Sequence, residues 1–244
     1  MSADPMGPVR LRAPAKLTRS LRVTGIRSDG YHLIDAEMVT LDLADKLVLS
    51  PGDGLEVIGA TGLAVPVDDD NLVRRALAAV GRRAAVRLVK RIPAGAGLGG
   101  GSADAAAVLR WAGCADLALA ASLGADVPFC LVGGRARVTG VGEVLTSLPF
   151  EDRACTLVVP PFGVPTSEVY REWDRLGGPS ADGPNDLEPA ALAVVPALAE
   201  WRDRLGEATG LAPALAGSGS AWFVEGAFPG PGRLVARTCL PTDA

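Results

Sequence analysis

The chain has 244 residues, enough for one large domain or two modest ones. Apolar residues make up 48% of it and aromatic residues only 5%, which predicts a core of alanine, valine and leucine. A net charge of −4 without a long basic run argues against a nucleic acid partner. The chain starts without a basic segment followed by an apolar one, and no apolar run approaches the roughly 18–20 residues that span a bilayer, so we expect a cytoplasmic protein.

Cysteine, histidine and lysine are informative because they are rare. The four cysteines form no Cys-x-x-Cys pair and His32 is the only histidine, so neither a zinc site nor a disulfide framework is expected. Lys16, Lys46 and Lys90 are the only lysines among many arginines. Because lysine carries a compact ammonium that can reach a single oxygen, these three positions are candidates for a functional site.

The first part of the chain is predicted to open with an antiparallel sheet. Four short β-prone stretches are separated by turn residues, at 9–12, 21–24, 37–43 and 46–50. A strand and loop over 52–66 precede a helix over 72–80, which Asp70 or Asn71 can cap and Gly81 ends.

A strand, a glycine-rich loop and a helix are predicted next, over 85–92, 93–101 and 102–111. A short helix at about 117–123 leads to Asp126, and Pro128 is expected to stop helical structure and leave Asp126 on a loop.

A second α+β lobe is predicted from about Cys155. It contains a strand over 156–159, a helix from Thr166, a surface loop over 177–184 and a helical stretch over 189–205. We expect two domains, residues 1–150 and 151–244.

The loop has five glycines in seven positions, Gly95 to Gly101, between a predicted strand and a predicted helix. Such a loop can turn backbone N–H groups toward an anion, and the helix N-terminus adds partial positive charge. Gly-x-Gly-x-x-Gly occurs within it, but no second strand ending in an acid follows, as a dinucleotide fold requires. No Gly-Lys-Ser/Thr closes a Walker loop. A triphosphate loop of another type is therefore predicted.

Three separated segments resemble the motifs of the galactokinase, homoserine kinase, mevalonate kinase and phosphomevalonate kinase (GHMP) superfamily: 13–17, 93–105 and 215–221. Within it, the segments 24–32, 123–129 and 185–189 are similar to the family of 4-diphosphocytidyl-2-C-methyl-D-erythritol kinases. The resemblance implies a two-lobed α+β fold, with a ribosomal-S5-like nucleotide lobe and a ferredoxin-like C-terminal lobe. It also implies ATP with Mg²⁺, a small cytidylyl alcohol as substrate, and phosphorylation of its 2-hydroxyl in the non-mevalonate isoprenoid pathway.

The resemblance also implies roles for individual residues. Asp126 resembles the catalytic base, and Lys16 resembles the cation that stabilises the developing alkoxide. ATP is expected to contact Asn71, Leu72, Lys90, Pro93, Ala94, Gly95, Ala96, Gly97, Leu98, Gly99, Gly100, Gly101, Ser102 and Ala103. Ser102 is the candidate to touch Mg²⁺. The cytidylyl substrate is expected to contact Thr18, Tyr31, His32, Thr166, Tyr170, Gly217 and Ser218, with Tyr31 and Tyr170 stacking on the cytosine.

One segment departs from the family pattern. Where the family usually continues its first motif with Asn-Leu, this chain has Thr18-Arg19-Ser20, so a substrate-positioning amide is missing. Two alternatives stay open: a GHMP kinase for homoserine, mevalonate or a related alcohol, and a nucleotide-binding protein without catalysis. The oligomeric state is left open.

Overall fold

The computed structural model describes residues 7–59 and 63–240. Two sheets and seven helices are formed within these ranges, in the order β1 (Val9–Ile26), β2 (His32–Ser50), β3 (Gly54–Ile58), α1 (Leu72–Ala79), β4 (Ala85–Val89), α2 (Gly100–Trp111), α3 (Leu117–Leu123), α4 (Val127–Val132), β5 (Arg135–Gly140), β6 (Val144–Ser147), β7 (Ala154–Val158), α5 (Thr166–Arg175), α6 (Glu188–Val194), α7 (Leu198–Thr209), β8 (Ala214–Leu215), β9 (Trp222–Glu225) and β10 (Leu234–Arg237). Residues 60–62 of the predicted strand and loop over 52–66 lie outside the described ranges.

The first sheet is organised around β2. Strand β1 pairs antiparallel with β2 from Val9 opposite Leu49 to Ile26 opposite His32. The other edge of β2 pairs with β5 near its start and with β4 near its end, and β6 and the parallel β3 complete the sheet. The second sheet is antiparallel with the order β10-β7-β9-β8. The predicted two-lobed α+β architecture is confirmed.

The predicted boundaries of the opening strands are wrong, because the four short stretches merge into the two long strands β1 and β2. Strand β1 continues through three register shifts, between Pro14 and Lys16, between Thr18 and Ser20, and between Val23 and Gly25. A bulge absorbs an extra residue without ending a strand, and Pro14, which pairs with Ala44, lies directly before the first register shift, where a proline is tolerated. Lys16 therefore lies inside a strand.

Two prolines set helix boundaries that differ from the predicted ones. Pro128 lies in the first turn of α4, where a missing N–H is tolerated, so Asp126 is the N-cap residue of a helix rather than a loop residue. The predicted helical stretch over 189–205 is two helices, because Val195, the residue before Pro196, leaves helical geometry.

The core is built largely from small and aliphatic side chains, as composition predicts. Helix α2 buries Ala103, Ala105, Ala106 and Ala107 almost completely. Small side chains let this helix pack closely on β1, α1 and α4, which places its N-terminus beside β1. Within the described ranges, no helix has both the length and the apolar character needed to cross a bilayer.

Candidate active site

The glycine-rich loop alternates buried side chains with glycines in the left-handed region. Ala96 and Leu98 are each 1% exposed, whereas Gly95, Gly97 and Gly99 have φ values of 75°, 76° and 68°. The buried side chains anchor the loop to the core while the glycines turn its backbone. The first turn of the 12-residue helix α2 follows and contains no acidic residue, so its N–H groups form a favourable anion site.

Two of these glycines are required by close approach as well as by φ. A Cβ on Gly97 would lie 2.4 Å from the carbonyl oxygen of Ala216, and one on Gly99 would lie 2.7 Å from Cγ of Lys16. The loop also accepts a hydrogen bond at the Ala96 oxygen from the Ala221 N–H, at 3.0 Å. The loop is therefore packed between β1 and the glycine-rich motif of the second lobe.

A cavity of about 370 Å³ lies over this loop. Its lining includes all but one of the residues predicted to contact ATP: Asn71, Leu72, Lys90, Pro93, Ala94, Gly95, Ala96, Gly97, Leu98, Gly99, Gly100, Gly101 and Ser102. Ala103 is the exception, since it is fully buried and does not line the cavity. Asn71 caps α1 through Oδ1 and donates from Nδ2 to the Pro66 oxygen, so it also fixes the opposite wall.

Lys90 at the base of this cavity is part of a buried ionic cluster. Its Nζ donates to Asp45 Oδ2 and, at 2.8 Å, to Asp104 Oδ2. Asp45 Oδ1 also accepts the N–H groups of Arg91 and Ile92, whereas Asp104 Oδ1 has no hydrogen-bond partner among the described residues. Burial raises the pKa of Asp104 to about 8, and the nearby Asp45 charge adds to this, although the Lys90 charge opposes it. Sequence reasoning identified Lys90 and missed both carboxylates.

A second cavity of about 510 Å³ lies beside the first. Lys16 and Asp126 line it, together with all seven residues predicted to contact the substrate: Thr18, Tyr31, His32, Thr166, Tyr170, Gly217 and Ser218. Gly97 and Ser102 line both cavities. The two cavities therefore meet at the start of helix α2.

Lys16 and Asp126 form an ion pair at this junction. Lys16 is 5% exposed, and its Nζ lies 3.3 Å from Asp126 Oδ2 and 3.1 Å from Thr18 Oγ1. Although Asp126 is the N-cap residue of α4, its side chain accepts no capping hydrogen bond. The carboxylate is thus directed to Lys16 and the cavity instead of to its own helix.

The third glycine-rich motif faces Lys16 and is held by Asn185. A Cβ on Gly217 would lie 3.5 Å from Lys16 Nζ. Asn185 is 1% exposed, and its amide donates to the Leu215 oxygen at 2.8 Å and the Gly217 oxygen at 2.7 Å. Its own Oδ1 accepts the Leu187 N–H, so the side chain is fully paired. The segment 185–189 therefore holds the third glycine-rich motif in place through Asn185.

The far end of the second cavity is aromatic. The rings of His32 and Tyr170 lie 4.6 Å apart and are tilted by 31°, and Trp173 meets His32 edge-on at 5.6 Å. Asp174 Oδ1 lies 2.8 Å from His32 Nε2. Tyr170 is largely enclosed, and burial raises its pKa.

Tyr31 differs from Tyr170, because it is 61% exposed with the Arg27 guanidinium 5.4 Å from its ring centroid. Thr166 is the first residue of α5 and not its N-cap, which is Pro165. Its hydroxyl lies 2.9 Å from Ser218 Oγ and so joins α5 to the third motif.

Sequence reasoning missed Asp174, although a signal for it was present. Asp174 lies four residues after Tyr170, and residues at this spacing share one face of a helix. Asp45 carried no such signal, because its contact with Lys90 joins β2 to the residue directly after β4, which is far away in the sequence.

The family described as GHMP kinases N terminal domain matches residues 71–134. A 4-diphosphocytidyl-2-C-methyl-D-erythritol kinase of Paracoccus denitrificans is 39% identical over 240 residues, which covers 88% of this chain and 85% of that relative. A protein of the same name from Pelotomaculum thermopropionicum is 40% identical over 273 residues, with 95% and 93% covered.

Solved structures agree with these relatives. A crystal structure of 4-(cytidine 5'-diphospho)-2C-methyl-D-erythritol kinase has a TM-score of 0.69 at 37% identity, covering 88% of this chain and 89% of that one. A homoserine kinase from Cytophaga hutchinsonii has a TM-score of 0.58 at 18% identity, with 98% and 97% covered, and shares the fold alone.

Proposed function

Because the chain belongs to the family of 4-diphosphocytidyl-2-C-methyl-D-erythritol kinases, we propose that it transfers the γ-phosphoryl group of ATP to the 2-hydroxyl of that cytidylyl alcohol. It is an ATP-dependent kinase of isoprenoid biosynthesis. The observation that carries the proposal is the meeting of two cavities at Gly97 and Ser102, with the Lys16–Asp126 pair in the second.

The first cavity suits the nucleotide. Backbone N–H groups of the glycine loop and the N-terminus of α2 bind the phosphates, and the side near Asn71 and Leu72 receives the adenosine portion. Lys90 contributes to the floor of this cavity through its contacts with Asp45 and Asp104. The triphosphate then points toward Ser102 and the second cavity.

The transfer step uses Asp126 as the base and Lys16 as the stabilising cation. The acceptor oxygen forms a bond to the γ-phosphorus, the bond from that phosphorus to the β,γ-bridging oxygen breaks, and ADP leaves. The hydroxyl proton passes to the Asp126 carboxylate, which is 32% exposed and lines the cavity. The Lys16 ammonium, fixed by Thr18, stabilises the charge that develops on the acceptor oxygen.

The aromatic end of the cavity suits the cytosine. A flat base stacks on flat rings, and His32 and Tyr170 supply such rings beside Tyr31. Asp174 holds His32 through Nε2 and so orients the ring that reads the base. Thr166, Gly217 and Ser218 lie between this end and Lys16, where the diphosphate and the alcohol would pass.

Mg²⁺ is expected with the nucleotide. The described residues contain no cluster of three or more metal-ligating side chains, which fits a cation held mainly by phosphate oxygens and water. The Ser102 hydroxyl lies in the first turn of α2 and lines both cavities, so it would hold the ion there. The ion would neutralise charge on the phosphates.

Other features belong to the same proposal. We place the domain boundary near residue 150, between β6 and β7, which gives domains 1–150 and 151–244. A cytoplasmic location and a small-molecule substrate, without a nucleic acid partner, complete it.

The test is to incubate the purified protein with Mg·ATP and, in parallel, the cytidylyl alcohol, homoserine or mevalonate, and to follow ADP release. We expect release only with the cytidylyl alcohol, and its loss in Asp126→Asn. Release with another alcohol would reject the substrate, and activity that persists in Asp126→Asn would reject the base.

A further inference from the structure

Six charged side chains form a closed ring in which arginines and glutamates alternate. Its members, in order around the ring, are Arg19, Glu37, Arg135, Glu151, Arg153 and Glu225. Each arginine contacts the two glutamates beside it, and the contact between Arg19 and Glu225 closes the ring. The ring has three positive and three negative charges and is therefore neutral.

The contacts of the ring are short and partly enclosed. Arg19 lies 2.5 Å from Glu37, and Arg135 binds both oxygens of Glu37 at 2.9 and 3.2 Å. Burial alone would raise the pKa of Glu37, but Arg135 and Arg19 outweigh it and lower the pKa. Networks of this kind contribute more than isolated surface pairs, because each side chain is held from two sides.

The ring joins the two lobes. Arg19, Glu37 and Arg135 lie on β1, β2 and β5 of the first sheet. Glu225 ends β9 of the second sheet, and Glu151 and Arg153 lie in the segment that connects the sheets. The ring therefore spans the place where the chain crosses from one lobe to the other.

Arg19 is also the extra residue of a β-bulge next to the site. In β1, Thr18 pairs with Met38 and Ser20 pairs with Glu37, so Arg19 has no partner in the ladder. A bulge changes the direction of the residues beside it. The Arg19 side chain is held by the ring instead of by a residue opposite it in the ladder. Thr18, directly before it, accepts the hydrogen bond from Lys16 Nζ.

The other lobe repeats this arrangement. Strand β9 begins at Trp222, immediately after the third glycine-rich motif, and ends at Glu225. Gly217 of that motif lies close to Lys16, and both residues line the second cavity. The contact between Arg19 and Glu225 thus ties β1, which carries Lys16 and Thr18, to β9, which directly follows the motif that contains Gly217.

We propose that Arg19 is a positioning residue: through the ring, it fixes the β1 bulge and the approach of the two lobes, and so sets where Lys16 stands against the acceptor hydroxyl. The proposal rests on the proposed role of Lys16. It also gives the departure at Thr18-Arg19-Ser20 a function, because the arginine belongs to the charge ring between the lobes and does not line the substrate cavity.

The test compares Arg19→Gln and Glu225→Gln, which cut the ring from either lobe, with Arg137→Gln. Arg137 is an exposed arginine of β5 whose side chain, among the described residues, forms its ion pair with Asp35, outside the ring. We expect both ring variants to lower kcat about tenfold, because small displacements of a catalytic group are costly. We expect the KM for ATP to stay unchanged, because the nucleotide cavity contains no ring residue. Arg19→Lys should recover part of the loss, and Arg137→Gln should behave as wild type.

Hydrogen exchange of the β1 segment 16–21 gives a readout that needs no activity. Faster exchange in Arg19→Gln and Glu225→Gln, but not in Arg137→Gln, supports the proposal that the ring holds the β1 bulge. This result would stand even if the wild-type protein phosphorylates none of the alcohols and the proposed function fails. Ring variants with wild-type kcat, or with wild-type exchange in this segment, would overturn the proposal. If Arg19→Gln does not fold, Glu225→Gln decides.

Discussion

The two cavities that meet at Gly97 and Ser102 are built in different ways. The cavity proposed for the nucleotide is lined by one stretch of chain, residues 63–104, and five of its lining residues are glycines, which present only backbone. The substrate cavity takes side chains from β1, β2, the turn before α4, α5 and the third glycine-rich motif. A backbone site is fixed by local conformation, whereas a side-chain site depends on how distant elements dock. Substitutions should therefore separate the two cavities.

The largest expected effect breaks the backbone site. In Gly97→Ala the new Cβ would collide with the Ala216 carbonyl, and alanine would also be strained at a φ of 76°. We expect ATP affinity to fall about a hundredfold or more, which corresponds to a loss of at least about 2.7 kcal/mol of binding free energy. Equilibrium binding of a nonhydrolysable ATP analogue measures it.

Gly81→Ala is the matched control for this glycine. Gly81 has a φ of 62°, but a Cβ there would meet no atom of the described residues within 4 Å, so this variant carries the backbone strain without the collision. If Gly81→Ala loses as much ATP affinity as Gly97→Ala, the collision is not the cause.

The next effect concerns the support behind the third motif. Asn185→Asp keeps the acceptor for the Leu187 N–H but removes both donors to the Leu215 and Gly217 oxygens and buries a charge. We expect the free energy of unfolding to fall by about 2–4 kcal/mol, measured by urea denaturation.

Asn71→Asp offers a comparison from the nucleotide cavity. It keeps the capping acceptor for the Val73 N–H and loses one donor, to the Pro66 oxygen. Its cost should be smaller, about 1 kcal/mol. Equal costs for the two variants would contradict the central role given to Asn185.

A smaller effect is expected at the aromatic end of the substrate cavity, where a substitution should affect the alcohol and not ATP. His32→Ala removes the ring that packs on Tyr170 and binds Asp174. We expect the KM for the cytidylyl alcohol to rise about tenfold, which corresponds to roughly 1.4 kcal/mol, and the KM for ATP to stay the same. Steady-state kinetics with each substrate varied in turn would show it. An unchanged KM for the alcohol would exclude cytosine recognition by His32.

The smallest effect is a pH dependence beneath the nucleotide cavity. The pKa of Asp104 is raised to about 8 in the folded state, so the folded protein keeps a proton that the unfolded chain has already lost. The stability due to this proton is present in full at low pH and is lost as the pH rises toward and through 8. Between pH 7 and pH 8 the free energy of unfolding should fall by about 1 kcal/mol.

Asp104→Asn tests this prediction, because it replaces the neutral acid with a neutral amide of similar shape. Denaturation curves at several pH values should show a flatter profile for Asp104→Asn than for the wild type. The same slope in both proteins would assign the pH dependence to other groups.

The contrast between the cavities also explains what the sequence could predict. The strand, glycine loop and helix over 85–111 were recognisable because glycine spacing and helix periodicity are local signals. The lengths of β1 and β2 were not, because the register shifts after Pro14 and at Arg19 exist only in the pairing with a distant strand. Pro128 was misjudged because a proline in the first turn of a helix and one that ends a helix look alike in sequence.

The site residues differ in the same way in how far the sequence could predict them. Lys16, Asp126 and His32 could be proposed from motifs, but their immediate partners were only partly predictable. Asp174 was missed although helix spacing carried a signal for it, whereas the Asp45–Lys90 contact and the charge ring depend on how strands are ordered in the sheets. In the sequence Arg19 is a departure from a family motif, whereas in the structure it forms ion pairs with Glu37 and Glu225.

The hydrogen bond from the Ala221 N–H to the Ala96 oxygen has a consequence for synthesis of the chain. The glycine-rich loop is translated well before residues 214–221, which pack against it. During translation the emerging N-terminal lobe therefore lacks the wall against which its loop is held, so ATP would not assist its folding. Nucleotide capture should begin only when nearly the whole chain has left the ribosome, and a fragment that ends after β6 should bind ATP poorly even if its sheet forms.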